Sequence, residues 1–233
     1  DNLIEIGPGM AAITEHLIKQ CPSITLVELD RDLIEFLNHK LLDYPLATII
    51  NSDALKTDFG QFYQGDKLRL VGNLPYNIST PLLFHLLESR EIIKDMHFML
   101  QREVVDRLSA SPGSKSYGRL SIMIQYHCRV MPVIPVPPTS FDPAPKVQSA
   151  VVRLTPYSEL PHKADNIKLL SKIVSQCFQQ RRKTLKNCLN TFTEFLSPNP
   201  MMVDLTKRPE QLSVEEFVTL SNCINNNMVQ SDE

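Results

Sequence analysis

The stretch Leu3-Ile4-Glu5-Ile6-Gly7-Pro8-Gly9-Met10-Ala11-Ala12 decides the fold. Four residues with the look of a short apolar strand run straight into a glycine turn. Ile13, Leu17 and Ile18 then recur at helical spacing. A strand that passes through Gly7-x-Gly9-x-x-Ala12 into a helix is where open α/β sheets hold nucleotide ligands. Glycines there permit the tight turn and let a ligand approach the backbone closely. Working outward, Ile24–Glu28, Ala47–Asn51, Leu68–Gly72 and Met96–Leu100 read as further strands. Helices are expected between them, with Leu33, Phe36, Leu37 and Leu41 on one face of the second, then at Pro81–Ser89 and Arg102–Ser109. This alternation predicts an α/β fold built on an open, Rossmann-like parallel sheet covered on both faces.

After Gly113 the texture changes. Leu120–Met131 and Val147–Leu154 alternate and are β-rich, and they flank a proline-rich stretch from Pro132 to Pro145. The pattern predicts an antiparallel hairpin added to the sheet edge, with a long ordered loop between its strands. From Asp165 onward helices are expected at Ile167–Gln179, Lys183–Phe195 and Val214–Asn222, the last capped by Ser213 with Glu216. Met201-Met202 reads as core. A boundary near Tyr157–Lys163 divides residues 1–160, a ligand-binding domain, from residues 161–233, a small helical domain. The chain opens directly on its first strand, so an upstream segment is expected.

With 233 residues, 42% hydrophobic and 21% charged, the chain can bury a real core. No apolar run approaches the roughly 18 residues of a membrane span. The five cysteines are scattered and odd in number, which fits reduced thiols in a cytoplasmic protein better than a disulfide framework or a zinc site. The six histidines are dispersed, and no metal is expected. The net charge of −2 hides an asymmetry: residues 67–186 hold 18 of the 24 Lys and Arg, enough for a cationic face toward a polyanion.

Twenty-one residues after Gly7, at the end of the second strand, Glu28 can accept hydrogen bonds from both ribose hydroxyls. That much fits a dehydrogenase and a methyltransferase equally. Two further carboxylates break the tie. Glu5 precedes the glycines, where it would repel a pyrophosphate and favour a cationic ligand. Asp53, in Asn51-Ser52-Asp53-Ala54, follows the third strand, from which it can accept a bond from an adenine amino group. Acidic residues at three successive strand ends suit S-adenosylmethionine and suit NAD poorly.

The sharpest signal is Gly72-Asn73-Leu74-Pro75-Tyr76, at the end of the fourth strand. Adenine N6 is a poor nucleophile because its lone pair is delocalised into the ring. A site helps by accepting hydrogen bonds from the amino hydrogens, and the Asn73 side chain and the Leu74 carbonyl are natural acceptors. Pro75 stiffens the turn, and Tyr76 offers a face for an extruded base, worth about 1–3 kcal/mol.

These motifs, with Phe98–Val105, Tyr117–Ser121, Phe141–Ala150 and Phe178-x-x-Arg181-Arg182-Lys183-Thr184-Leu185-Lys186-Asn187, resemble in order and over nearly the whole chain the ribosomal RNA adenine dimethyltransferases. The likeness is greatest to the bacterial small-subunit branch, which dimethylates two adjacent adenines in a hairpin loop near the 3′ end of 16S rRNA. It implies that Glu5, Gly7 and Gly9 line the methionine part of the cofactor, Glu28 its ribose, and Asp53 with Ala54 its adenine, with Asn73 touching cofactor as well as base. Asn73, Leu74 and Tyr76 would hold the target base and Phe141 would close its other face. The family's N-terminal motif is missing. Arg102, Arg119, Arg181, Arg182 and Lys183 are candidate RNA contacts. The expected partner is 16S rRNA within the small subunit, met by a monomer. A 23S rRNA methyltransferase and a ribosome-assembly factor that acts mainly by binding are the rival readings.

Overall fold

In a computed structural model, which describes residues 2–196 and 203–231, the chain forms two compact units. Asp1–Val105 with Cys128–Ser158 make the first, and Asp106–His127 with Glu159–Glu233 the second. The paired methionines at 201 and 202 lie outside the described residues.

The first unit is a seven-stranded sheet. Its strands are β1 (Asn2–Ile6), β2 (Thr25–Glu28), β3 (Thr48–Asn51), β4 (Leu68–Asn73), β5 (Ile93–Gln101), β6 (Cys128–Val136) and β7 (Ser149–Pro156), in the order β3-β2-β1-β4-β5-β7-β6. The first five run parallel; β7 is antiparallel to β5 and β6 antiparallel to β7. Continuous burial of β1 from Leu3 to Ile6 follows from its central, doubly covered place. Helix α1 (Thr14–Leu17), α2 (Arg31–Lys40) and α3 (Ser79–Glu88) lie between these strands along the chain. Leu37 and Leu41 join Leu3, Ala11, Ile18, Ile24 and Leu26 in one apolar cluster, and Phe36 packs against it. Asp30 caps α2, its side chain accepting from the Asp32 amide at 2.9 Å.

Two details lock the sheet. Gly72 approaches β1 so closely that a Cβ there would stand 2.5 Å from the Ile6 carbonyl oxygen. Fully buried Asp95 on β5 accepts from Arg69 of β4 at 2.8 and 3.1 Å and from Arg153 of β7 at 2.8 Å. Burial pushes the Asp95 carboxyl up, but the bonds and charges of the two guanidiniums outweigh it and hold the group below the usual aspartate range.

Helix α4 (Arg102–Leu108) carries the chain from the first unit into the second. There α5 (Arg119–His127) joins α6 (Ile167–Gln179), α7 (Leu185–Cys188) and α8 (Val214–Ser231). Three expectations are revised. Leu120–His127 is a helix, not a strand; six of the nine residues of α5 are buried, so no polar stripe betrays its period. The first hairpin strand starts at Cys128 and runs through Pro132 and Pro135, which an edge strand tolerates. Lys183–Phe195 is no single helix. α7 stops at Cys188, whose carbonyl accepts from Gln176, and a 3₁₀ stretch, Asn190–Leu196, follows, in which Thr193 bonds back to the Asn190 carbonyl. The α8 cap is as read: the Glu216 amide donates to Ser213 Oγ at 3.1 Å and the Ser213 amide to Glu216 Oε2 at 2.8 Å. The helical unit also takes in Asp106–His127, which fall within the expected first domain, residues 1–160.

Candidate active site

Strand order reverses between β1 and β4, and in open α/β sheets the crevice at such a point receives ligands. A cavity of about 490 Å³ opens there, at the carboxyl ends of the strands. Gly7 and Gly9 adopt left-handed conformations, φ +66° and +56°, and these let the chain leave β1 and turn at once. The Gly7 amide donates to the Val27 carbonyl at 2.9 Å and fixes the turn beside β2.

Glu28 ends β2 and faces the cavity. Its Oε1 accepts from the Leu29 and Asp30 amides at 2.8 and 3.0 Å, and its Oε2 from the Gly9 amide at 3.2 Å, so three backbone donors orient one carboxylate. Asp53 lines the same cavity with Ala54; its Oδ1 accepts from the Leu55 amide at 3.0 Å. Asp30 adds a third carboxylate. The remaining lining is apolar or neutral, chiefly Leu29, Leu33 and Ile78, and among the described residues no lysine or arginine lines the cavity.

Glu5 and Gly9, expected in the lining, stand outside it. Glu5 is buried behind the turn, accepting from Thr14 Oγ at 2.7 Å, and burial raises its pKa to about 6 although the Thr14 bond pulls the other way. Gly9 acts through its amide on Glu28.

A second cavity, of about 300 Å³, is lined by Asn73, Leu74, Pro75, Tyr76, Phe141, Pro143 and Pro145. Pro75 lines both cavities, so the two adjoin at that residue. Asn73 borders this second cavity and not the first. Buried Leu74, whose amide donates to the Met99 carbonyl at 3.3 Å, anchors the motif to β5. Tyr76 is 39% exposed, and its hydroxyl meets Ser149 Oγ at 3.2 Å. Phe141 arrives on a short 3₁₀ turn, Pro138–Ser140, its amide donating to the Pro138 carbonyl at 3.1 Å.

Sequence reasoning did not find Leu29, Leu33, Asn77, Ile78, Ser149, Pro143 or Pro145. Asn77 and Ile78 extend the motif that holds Tyr76, and that adjacency was the available signal.

The basic candidates separate. The Arg102 amide donates to the Gln148 carbonyl at 2.9 Å at the start of α4. Arg181 is tied inside the helical unit, its Nε donating to Glu210 Oε2 at 2.5 Å and its Nη2 to the Lys115 carbonyl at 2.8 Å. Arg182 and Lys183 are exposed, and Arg119 is exposed at the start of α5.

NAD would bring a pyrophosphate into the strand-end cavity, and three carboxylates with no basic side chain among the lining would repel it. An adenosine that carries a positive charge is what this donor set selects. The class so defined is the S-adenosylmethionine-dependent methyltransferases. Within it the chain belongs to the ribosomal RNA adenine dimethylase family, which it matches over residues 1–226. It is 56% identical over 225 residues to Ribosomal RNA small subunit methyltransferase A of Saccharophagus degradans, covering 96% of this chain and 84% of that one. The protein of the same name from Mannheimia succiniciproducens is 52% identical over 232 residues, covering 97% and 81%. Among solved structures, a dimethyladenosine transferase from Plasmodium falciparum superposes with a TM-score of 0.80 at 25% identity, over 97% of this chain and 90% of that one. The 23S rRNA methyltransferase ErmE, at 22% identity and a TM-score of 0.69 over 96% and 90%, shares the fold.

Proposed function

We propose that this methyltransferase dimethylates N6 of two adjacent adenines in a hairpin loop near the 3′ end of 16S rRNA, during maturation of the small subunit. One observation carries the reading: the Asn73–Tyr76 pocket shares its Pro75 wall with the acidic cavity that suits the cofactor. Bound S-adenosylmethionine supplies an electrophilic methyl group. Glu28 and Asp53 would hold its ribose and adenine. Everything else falls to the pocket. Tyr76 and Phe141 stack on the two faces of the base, and the Asn73 side-chain oxygen and the Leu74 carbonyl accept from the amino hydrogens, freeing the nitrogen lone pair. Positioning and polarisation provide the catalysis. No strong built-in base is needed, because the amine becomes strongly acidic only once the new methyl bond forms, and its proton then passes to water. A second round requires a pocket that still accepts the monomethylated base, and Pro143 and Pro145 in the lining offer that methyl apolar contact.

The names of the relatives above support the small subunit as the target, whereas the large-subunit enzyme shares only the fold. Arg102, Arg119, Arg182 and Lys183 are the proposed RNA contacts; Arg181 serves them by holding the Arg182-Lys183 turn in place. We place the methyl transfer in a monomer, in the cytoplasm. No helix among the described residues is long and apolar enough to cross a membrane.

The test is to incubate the protein with unmethylated small subunits and labelled cofactor and to map the label. Two neighbouring adenines near the 3′ end of 16S rRNA, each with two methyls, are the expected product. Label on large-subunit rRNA alone would overturn the assignment.

A further inference from the structure

The helical unit holds a groove larger than either cavity of the sheet, about 610 Å³, whose lining shares Arg119 with the RNA contacts proposed above but no residue with the two cavities of the methyl-transfer site. Lys168, Ser171, Lys172, Ser175 and Gln179 lie along it at the spacing of one face of α6. Arg119 of α5 faces them, and Asn190 and Thr191 of the 3₁₀ stretch form the far side. All ten lining residues are polar or cationic, three are lysine or arginine, and none is a carboxylate. The walls are fixed. Gln176 donates to the Cys188 carbonyl at 2.7 Å and accepts from Thr191 Oγ at 3.0 Å, and the Lys172 ammonium stands 5.5 Å from the centre of the Phe192 ring. From Lys168 to Gln179 the face runs about 16 Å, at 1.5 Å per residue.

We infer that this groove is a second RNA-binding site that takes the sugar–phosphate backbone of the substrate, with Lys168 and Lys172 each neutralising a phosphate. The inference rests on the reading that the substrate is ribosomal RNA, and it deepens that reading. Hydroxyl and amide side chains between fixed cations suit phosphate and ribose oxygens. With no carboxylate or apolar base-sized slot in the lining, the groove reads charge and not sequence. An acidic protein segment is the other occupant that cations attract, but a run of small polar groups offers its side chains no apolar pocket.

The deciding experiment compares the full chain with a Lys168→Gln/Lys172→Gln variant. Both residues are exposed, so the substitutions leave the core untouched. Affinity is measured over a range of salt for naked 16S rRNA and for unmethylated small subunits, with methyl transfer at saturating RNA followed alongside. The variant is expected to bind both RNAs about tenfold more weakly, its plot of log affinity against log salt shallower by about 2, with kcat unchanged. Wild-type affinity and slope in the variant would overturn the inference. So would a loss confined to intact subunits, which would assign the groove to a protein. A wild-type chain that binds neither RNA would overturn the reading beneath it as well.

Discussion

Tyr76 sits between packing and recognition: more than a third of it is open, yet its hydroxyl is tied to Ser149, the first residue of β7. That bond sets the ring face on which a base can stack. Tyr76→Phe and Ser149→Ala should each raise KM for RNA several-fold with a smaller effect on kcat. The double variant should be no worse than either single one, a coupling of about 1 kcal/mol. Additive losses would mean that Ser149 does not position the ring. Glu5 gives a prediction in pH. Its folded pKa lies above the usual glutamate value, so its contribution to the stability of the cofactor-free protein is complete below that value and is lost as pH rises through about 6. A cationic cofactor favours the ionised form, so affinity should increase as pH rises through 6, and Glu5→Gln should flatten the profile; calorimetric titration across that range checks it. Glu28 and Asp53 were legible in the sequence because strand ends announce themselves. Ser149 was not, since a serine in a β-rich run carries no spacing signal, and Glu5 was legible as acidic but not as buried.

At the scale of elements, the five parallel strands could be read because apolar runs and turns alternate along the chain. The α5–β6 junction could not, because two thirds of α5 is buried and its period is masked. What joins the predicted parallel sheet to the predicted hairpin is the Asp95 cluster, and nothing local in Asp95, Arg69 or Arg153 reveals that they meet. Asp95→Asn would take from the Arg69 and Arg153 guanidiniums the negative charge they share. Both retain some solvent, so the cost should fall somewhat below that of a sealed ion pair, at about 2–3 kcal/mol. Because the Asp95 carboxyl is held below its unfolded value, its contribution is present above the usual aspartate range and is lost as pH falls through the folded value. Urea unfolding of the variant should therefore show a deficit near neutrality that closes in acid; equal stability at pH 7 would show that the cluster contributes nothing.

For the whole molecule, the unequal distribution of charge in the sequence finds a physical outlet. Acidic side chains of the first 66 residues border the cofactor cavity, and basic ones from the middle of the chain border the α6 groove. The two-unit partition was only partly legible. The chain leaves the sheet after β5 to contribute α5 to the helical unit and then returns for β6, a crossing that depends on tertiary contacts such as the Tyr117–Phe178 ring pair. The account as a whole depends on Asn73 acting on the substrate amine while Glu28 and Asp53 hold the cofactor. Single-turnover methyl transfer by Asn73→Ala, with cofactor affinity measured on the same sample, separates these roles. The rate should fall by about 10²–10³ with cofactor affinity within twofold of the parent protein; an unchanged rate would contradict the account.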